Sequence, residues 1–136
     1  MPQPPPPGYA SPDEKTWALV AHFGGPVGML ISCGVLGFVA PLIAFLAKGN
    51  ESTTVRRHAL AALNFQGPLS VVAVALLIFS NVSAILPDGL EALINLVFLL
   101  LRIGVIVVSI VFGIIAGMKA SRGEEYNYPF GFALIK

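Results

Sequence analysis

Charge is scarce in this chain, and so are the side chains that usually carry out chemistry. Its 136 residues include one cysteine, one tryptophan and two histidines, and only 11% are charged. A lone Cys33 excludes an internal disulfide framework. Eight Lys and Arg against seven Asp and Glu leave a net charge of +1, so there is no clustered basic surface to hold nucleic acid. No phosphate-cradling glycine loop and no HExxH pair is present. His22 and His58 lie far apart without a matching carboxylate spacing, and Glu124 and Glu125 stand side by side near the C-terminal end. Lacking a nucleophile with its base, a catalytic carboxylate pair or a metal set, the sequence reads as that of a non-enzyme with no cofactor.

What is abundant is apolar. Hydrophobic residues make up 56% of the chain and the mean hydropathy is +0.83; their arrangement in blocks excludes an ordinary soluble domain. The longest block runs from Leu90 to Met118 and, beyond Glu91 at its start, holds one full charge, Arg102. As a helix at about 1.5 Å per residue it reaches roughly 40 Å, more than the hydrocarbon core of about 30 Å. Asp88-Gly89-Leu90-Glu91 has the form of a capping box at its start, and Lys119, Arg122 and Gly123 suit its end. Helical periodicity puts Glu91, Asn95, Arg102, Ser109, Gly113 and Gly117 on one stripe. In lipid that stripe belongs against protein, because an exposed Arg at mid-bilayer costs about 3 kcal/mol and Gly113-x-x-x-Gly117 admits another backbone. Arg102 then either fixes helix packing through an ion pair or carbonyl contact, or lines a polar cavity.

Ahead of this helix the chain is punctuated. Residues 1–11, with four consecutive prolines, read as a disordered, solvated leader. Ser11-Pro12-Asp13-Glu14 announces a helix, and Trp17 suits the headgroup level. Residues 17–47 are apolar but broken by Gly24, Gly25, Pro26, Gly28, Gly34, Gly37 and Pro41, which predicts two short or tilted helices over about 12–32 and 35–48. Pro26 and Pro41 free the carbonyls of His22 and Gly37 inside apolar surroundings. His22 is a polar contact near the interface or a proton carrier. Leu30-Ile31-Ser32-Cys33 has the look of a lipoprotein cleavage box, but a proline tract followed by Asp13-Glu14-Lys15 is not the positive leader such a signal requires. After the polar interval Lys48–His58, a kinked helix is expected over about 53–84, carrying Asn64 and Gln66 and freed at the Asn64 carbonyl by Pro68. The last helix follows over about 89–120, then a tail, 121–136, in which Tyr126, Tyr128, Phe130 and Phe132 alternate.

The expected fold is therefore all-α: a polytopic transmembrane bundle of four membrane helices, the first two short and interrupted by Gly and Pro, in a domain covering 12–136. Basic residues near 48–57 and after the last helix, with none between Asn81 and Glu91, put those two ends in the cytoplasm. With two crossings before Lys48 the N-terminal tail is cytoplasmic as well, and with one it is outside; the absence of a cleavable signal favours both termini inside.

Several motifs also resemble a known group. Asp13-Glu14-Lys15-Thr16-Trp17-Ala18 with His22, Pro41-Leu42-Ile43, His58 through Gln66, and Lys119 through Tyr126 with Tyr128-Pro129 are similar to a bacterial family of small membrane proteins related to the Tic-twenty component of the chloroplast inner-envelope translocon. That resemblance covers about residues 13–135 and implies a four-helix bundle in the bacterial cytoplasmic membrane with cytoplasmic termini. It supplies no catalytic residue.

Two roles are open. One is a non-enzymatic accessory or scaffold subunit that meets a larger membrane complex through its small-residue face and its tail residues Tyr126, Tyr128, Pro129 and Phe130. The other is a transport or protein-translocation path formed by oligomers and lined by the freed carbonyls near His22, Gly37 and Asn64 together with Arg102; Asn95, Ser109, Gly113 and Gly117 are the further candidate polar and packing positions within the membrane. Expected partners are the bilayer and other membrane proteins or further copies of the chain.

Overall fold

The computed structural model describes residues 2–136 and contains helices and turns, with no strand among the described residues. Helix α1 spans Pro12–Ile31, α2 Val39–Lys48, α3 Thr53–Val82 and α4 Asp88–Ser121; a single 3-10 turn, Ser83–Ile85, follows α3. Local chemistry sets the starts. The Ser11 hydroxyl accepts from the Glu14 N–H at 3.2 Å, Pro12 fills the first helical position, and Glu14 Oε2 reaches back to accept from the Ala10 N–H at 2.7 Å. These contacts satisfy donors that a helix start otherwise leaves bare. Ser52 caps α3 in the same way, accepting from the Val55 N–H at 3.1 Å and donating to Glu14 Oε1 at 2.6 Å, so the starts of α1 and α3 are tied together. At α4 the expected capping box is not formed. Pro87 occupies the cap position without a side-chain bond, and Asp88 is already helical.

The reversal between α1 and α2 departs from the expected start at residue 35. Cys33 (φ 55°) and Gly34 (φ 103°) both adopt left-handed backbone, which no helix continues through. The Gly34 N–H donates to the Met29 carbonyl at 2.7 Å, and the Ser32 hydroxyl accepts from the Leu36 N–H at 2.7 Å. Pro41 falls in the first turn of α2, where its missing donor has no helical partner to lose. It therefore does not interrupt that helix.

α1 touches all three other helices, α3 also packs on α2 and α4, and α2 does not touch α4. The core between them is built from Ala21, Ala44, Ala59, Ala62, Phe65, Ala116 and Tyr128. Small side chains at most of these positions let the backbones come close, which is how helices associate when lipid removes the hydrophobic drive. α1 lies antiparallel to α4: a β-carbon added at Gly117 would lie 2.4 Å from the Phe23 ring, and one at Gly113 2.3 Å from Pro26 Cγ.

Two helices, not four, are long and apolar enough to cross a membrane: Thr53–Ile85, counting the 3-10 turn, and Asp88–Ser121. Only 17% and 11% of their most apolar stretches is buried within the bundle. A soluble core helix would be mostly covered, whereas these two have the length, hydropathy and exposure of membrane spans. α2, at ten residues, is about 15 Å long and falls short of the hydrocarbon core. α1 has 20 residues but opens on Asp13, Glu14 and Lys15 and carries His22, which shortens its apolar stretch below a full crossing.

The α1–α2 turn ends partway along the other pair. A β-carbon at Gly34 would lie 3.0 Å from Ala73 Cβ and 3.7 Å from Ile106 Cγ1, and Arg102 reaches the Cys33 carbonyl. Beyond that level α3 and α4 run on as a pair, joined by Phe79 against Phe98 (6.3 Å between ring centres) and by Ser80 on Asn95. The stretch of α4 from Arg102 back to Asp88 is about 21 Å long.

Candidate functional site

The polar groups of the bundle sit in separate layers along α4. The first lies at the end that carries both chain termini. Tyr9, from the leader, donates its hydroxyl proton to the Ala120 carbonyl at 2.6 Å and lies 3.4 Å from His58 Nε2. His58 Nδ1 meets His22 Nε2 at 2.9 Å, and His22 Nδ1 meets the Tyr128 hydroxyl at 2.8 Å. Because Tyr9 has one proton and gives it to Ala120, the longer contact must be donated by His58 Nε2–H. With both imidazoles neutral the donors then run one way: Tyr128 O–H to His22, His22 Nε2–H to His58 Nδ1, His58 to Tyr9, Tyr9 to the α4 carbonyl. Four side chains and one backbone group thus join the leader, α1, α3, α4 and the tail. All four side chains are buried.

Aromatic packing locks the same layer. Tyr128 stacks on Phe65 with ring centres 4.3 Å apart, Tyr126 sits edge-on to Tyr128 at 5.0 Å, and the Lys119 ammonium lies over the Tyr126 ring at 5.6 Å. Burial raises the pKa of Tyr128, with the neighbouring Tyr126 adding to it, and burial with the Glu14 charge raises that of Tyr9. Both phenols therefore stay protonated donors. Gly8 and Gly123, each at φ +81°, lie against one another; a β-carbon on Gly123 would fall 2.2 Å from the Pro7 carbonyl oxygen. Only glycine fits such an approach in that conformation.

The remaining residues singled out in the sequence fall elsewhere. Asn64 grips the tail backbone from both sides, its Nδ2 donating to the Ile135 carbonyl and its Oδ1 accepting from the Ile135 N–H, each at 2.9 Å. Ser109 donates to Gln66 Oε1 at 2.7 Å in the second layer. Arg102 Nη2 donates to the Cys33 carbonyl at 3.1 Å in the third. Asn95 accepts from Ser80 (2.7 Å) and Ser83 (2.9 Å) at the far end. Gly113 and Gly117 are contact points for Pro26 and Phe23. Pro129 and Phe130 are exposed, whereas Tyr128 is core. The polar residues do not line up into a single path: His22, Ser109, Arg102 and Asn95 each bond within a separate layer.

Sequence reasoning missed Tyr9 and left His58 without a role. Tyr9 lies in a leader expected to be solvated, yet it is 6% exposed. The signal for His58 was its spacing: with Val55, Ala59 and Ala62 it shares the buried small-residue face of α3, as His22 does with Ala18, Ala21 and Gly25 on α1. Among the described residues no three imidazole, thiol or carboxylate groups converge on one point as metal ligands would. A concavity of about 770 Å³ between α2, α3 and Leu134–Ile135 is lined almost wholly by apolar side chains such as Val35, Phe38, Pro68 and Val71.

These features define a small all-helical membrane protein whose two termini are latched onto one end of its bundle. Residues 13–135 match the family model MamF/MmsF, described as the magnetosome magnetite crystal formation protein family. The chain belongs to that family. The likeness to Tic-twenty-related proteins is thereby corrected, and the protein-translocation role that it carried falls with it. No curated protein and no solved structure matches the chain.

Proposed function

We propose that this chain is a non-enzymatic accessory protein that acts as a membrane scaffold in magnetite crystal formation. Helices α3 and α4 cross the bilayer, while α1 and α2 form a re-entrant hairpin that enters and leaves on the side of the termini. The observation that carries the scaffold reading is the His–Tyr chain. Its imidazoles and phenols, the groups best suited to acid–base work, are buried and bonded to one another in a way that joins five segments. Such a network fixes a unique packing.

The topology rests on lengths and charges. From Asp88 to Lys119, α4 measures about 46 Å, close to a full bilayer of about 40–45 Å with its headgroups, so the acidic and basic ends both reach polar surroundings. Every Lys and Arg except Arg102 lies near the start of α1 (Lys15), at the end of α2 (Lys48), near the start of α3 (Arg56, Arg57) or from Lys119 onward. That end is cytoplasmic by the usual charge bias. The α1–α2 turn, at the level of Arg102, then lies about 25 Å from Lys119, just past mid-bilayer. Non-helical backbone survives at such depth only when its polar groups are met by protein. Arg102 on the Cys33 carbonyl and Ser32 on the Leu36 N–H meet that need.

The test is genetic. Deleting the gene in a magnetite-forming host should alter crystal number or size by electron microscopy, and the wild-type gene should restore them. A His58→Gln variant keeps a donor and an acceptor but cannot act as an acid–base group. The scaffold reading expects it to restore crystals when protein levels match wild type. A folded, abundant variant that leaves crystals defective would refute it.

A further inference from the structure

We infer that the molecule is a wedge that couples to membrane curvature, favouring a bilayer whose cytoplasmic face is convex. The inference rests on the two-crossing topology proposed above, and its geometry comes from the unequal lengths of the two hairpins. On the side of the termini the cross-section contains α1, α2, α3 and α4, with Tyr9 of the leader and Tyr128 of the tail inserted among them. Past Gly34 and Arg102 only α3 and α4 remain. A helix with its side chains is about 10–12 Å across, so two additional helices occupy very roughly 150–200 Å² in one leaflet that has no counterpart in the other.

The wide end is also the stiff end. Glu14 with Ser52, the His–Tyr chain, Asn64 with Ile135, and Tyr128 on Phe65 bind the leader, α1, α3, α4 and the tail to one another. Interhelical contacts without flexible gaps transmit a shape to the lipid instead of yielding to it. The narrow end is a bare pair of helices whose outward residues include Ile78, Phe79, Val82, Leu93, Leu96 and Leu100, all exposed from the protein and suited to acyl chains. Arg102 holds the step between the two halves in place by bonding the turn at which the shorter hairpin stops. A body wider in one leaflet lowers the cost of bending the bilayer away from that leaflet, and so it accumulates where such bending already exists.

The full chain, labelled with a fluorophore on its N-terminal amine, is reconstituted into giant vesicles from which thin lipid tethers are drawn. A tether is convex on its outer face. Insertion in both orientations supplies an internal control, because a membrane-impermeant quencher added outside marks the molecules whose termini face outward. The wedge predicts that the outward population is enriched several-fold in the tether over the vesicle body while the inward population is depleted. Equal distribution of both populations, or enrichment of both alike, overturns the wedge and leaves the membrane reading standing. Failure of the label to remain with the lipid at all overturns the two-crossing topology and the wedge together.

Discussion

The close approach of α1 to α4 at Gly113 gives a quantitative test of how the bundle is held. A methyl group added there would meet Pro26 Cγ at 2.3 Å, Pro26 Cδ at 2.8 Å and the His22 carbonyl oxygen at 3.2 Å. Two of these atoms belong to a rigid ring and the third to backbone, so neither helix can yield without moving as a body. Gly104 lies on the same helix with nothing within 4 Å of its added β-carbon. Replacing glycine by alanine inside a helix by itself stabilises by about 0.5–1 kcal/mol, and that gain should be realised at Gly104. At Gly113 overpacking of about 1–3 kcal/mol opposes it. The helix gain is common to both, so the Gly113→Ala and Gly104→Ala proteins should differ by the overpacking alone, about 1–3 kcal/mol. Unfolding in mixed micelles can be followed by Trp17, the only tryptophan, which packs on the core. Equal stabilities for the two variants would refute this packing of α1 on α4.

Other consequences follow from the latch at the terminal end. Tyr9→Phe removes the donor to the Ala120 carbonyl and should cost about 1 kcal/mol, seen as faster proteolysis of the leader in intact membranes. Asn64→Ala removes both bonds to Ile135, so the last residues of the tail should be trimmed faster by carboxypeptidase while Trp17 emission is unchanged. Burial raises the pKa of Tyr9 and Tyr128, so the folded state holds their protons more tightly than the unfolded state. Their contribution is complete below the ordinary phenol value of 10.0 and declines as pH rises beyond it; leader protection should persist to about pH 10 and weaken above. Arg102→Leu loses a charged hydrogen bond of about 1.5–3 kcal/mol and avoids an intramembrane charge of similar cost. The protein should stay folded while amide exchange in the α1–α2 turn quickens.

The helical character of the chain was legible because its boundaries carry local chemistry. Ser11 with Pro12 and Ser52 cap helices as their residue types require, and Gly123 ends the polar turn after α4 at positive φ. The number of helices long enough to cross was not legible, because apolar composition alone does not fix where a helix ends; α2 stops at ten residues and falls short of a span. The His–Tyr chain escaped notice for a related reason. Its members come from distant segments, and Tyr9 stands among prolines with no periodic pattern to mark it. The motifs behind the mistaken resemblance are now explained by packing: Asn64 holds Ile135, Gln66 meets Ser109, and Tyr128 stacks on Phe65. They report how the bundle closes, and so they carry little about its task.

The depth of Cys33 tests the architecture most directly, and the chain supplies its own probe because that residue is the only cysteine and is exposed at the α1–α2 turn. A membrane-impermeant maleimide is applied to sealed vesicles of each orientation and again after detergent. With a re-entrant hairpin whose turn lies near mid-bilayer, Cys33 should resist labelling from both sides and react once detergent is added. Labelling in sealed vesicles from the side opposite the termini would show that α1 and α2 cross completely, and would contradict the two-crossing scaffold.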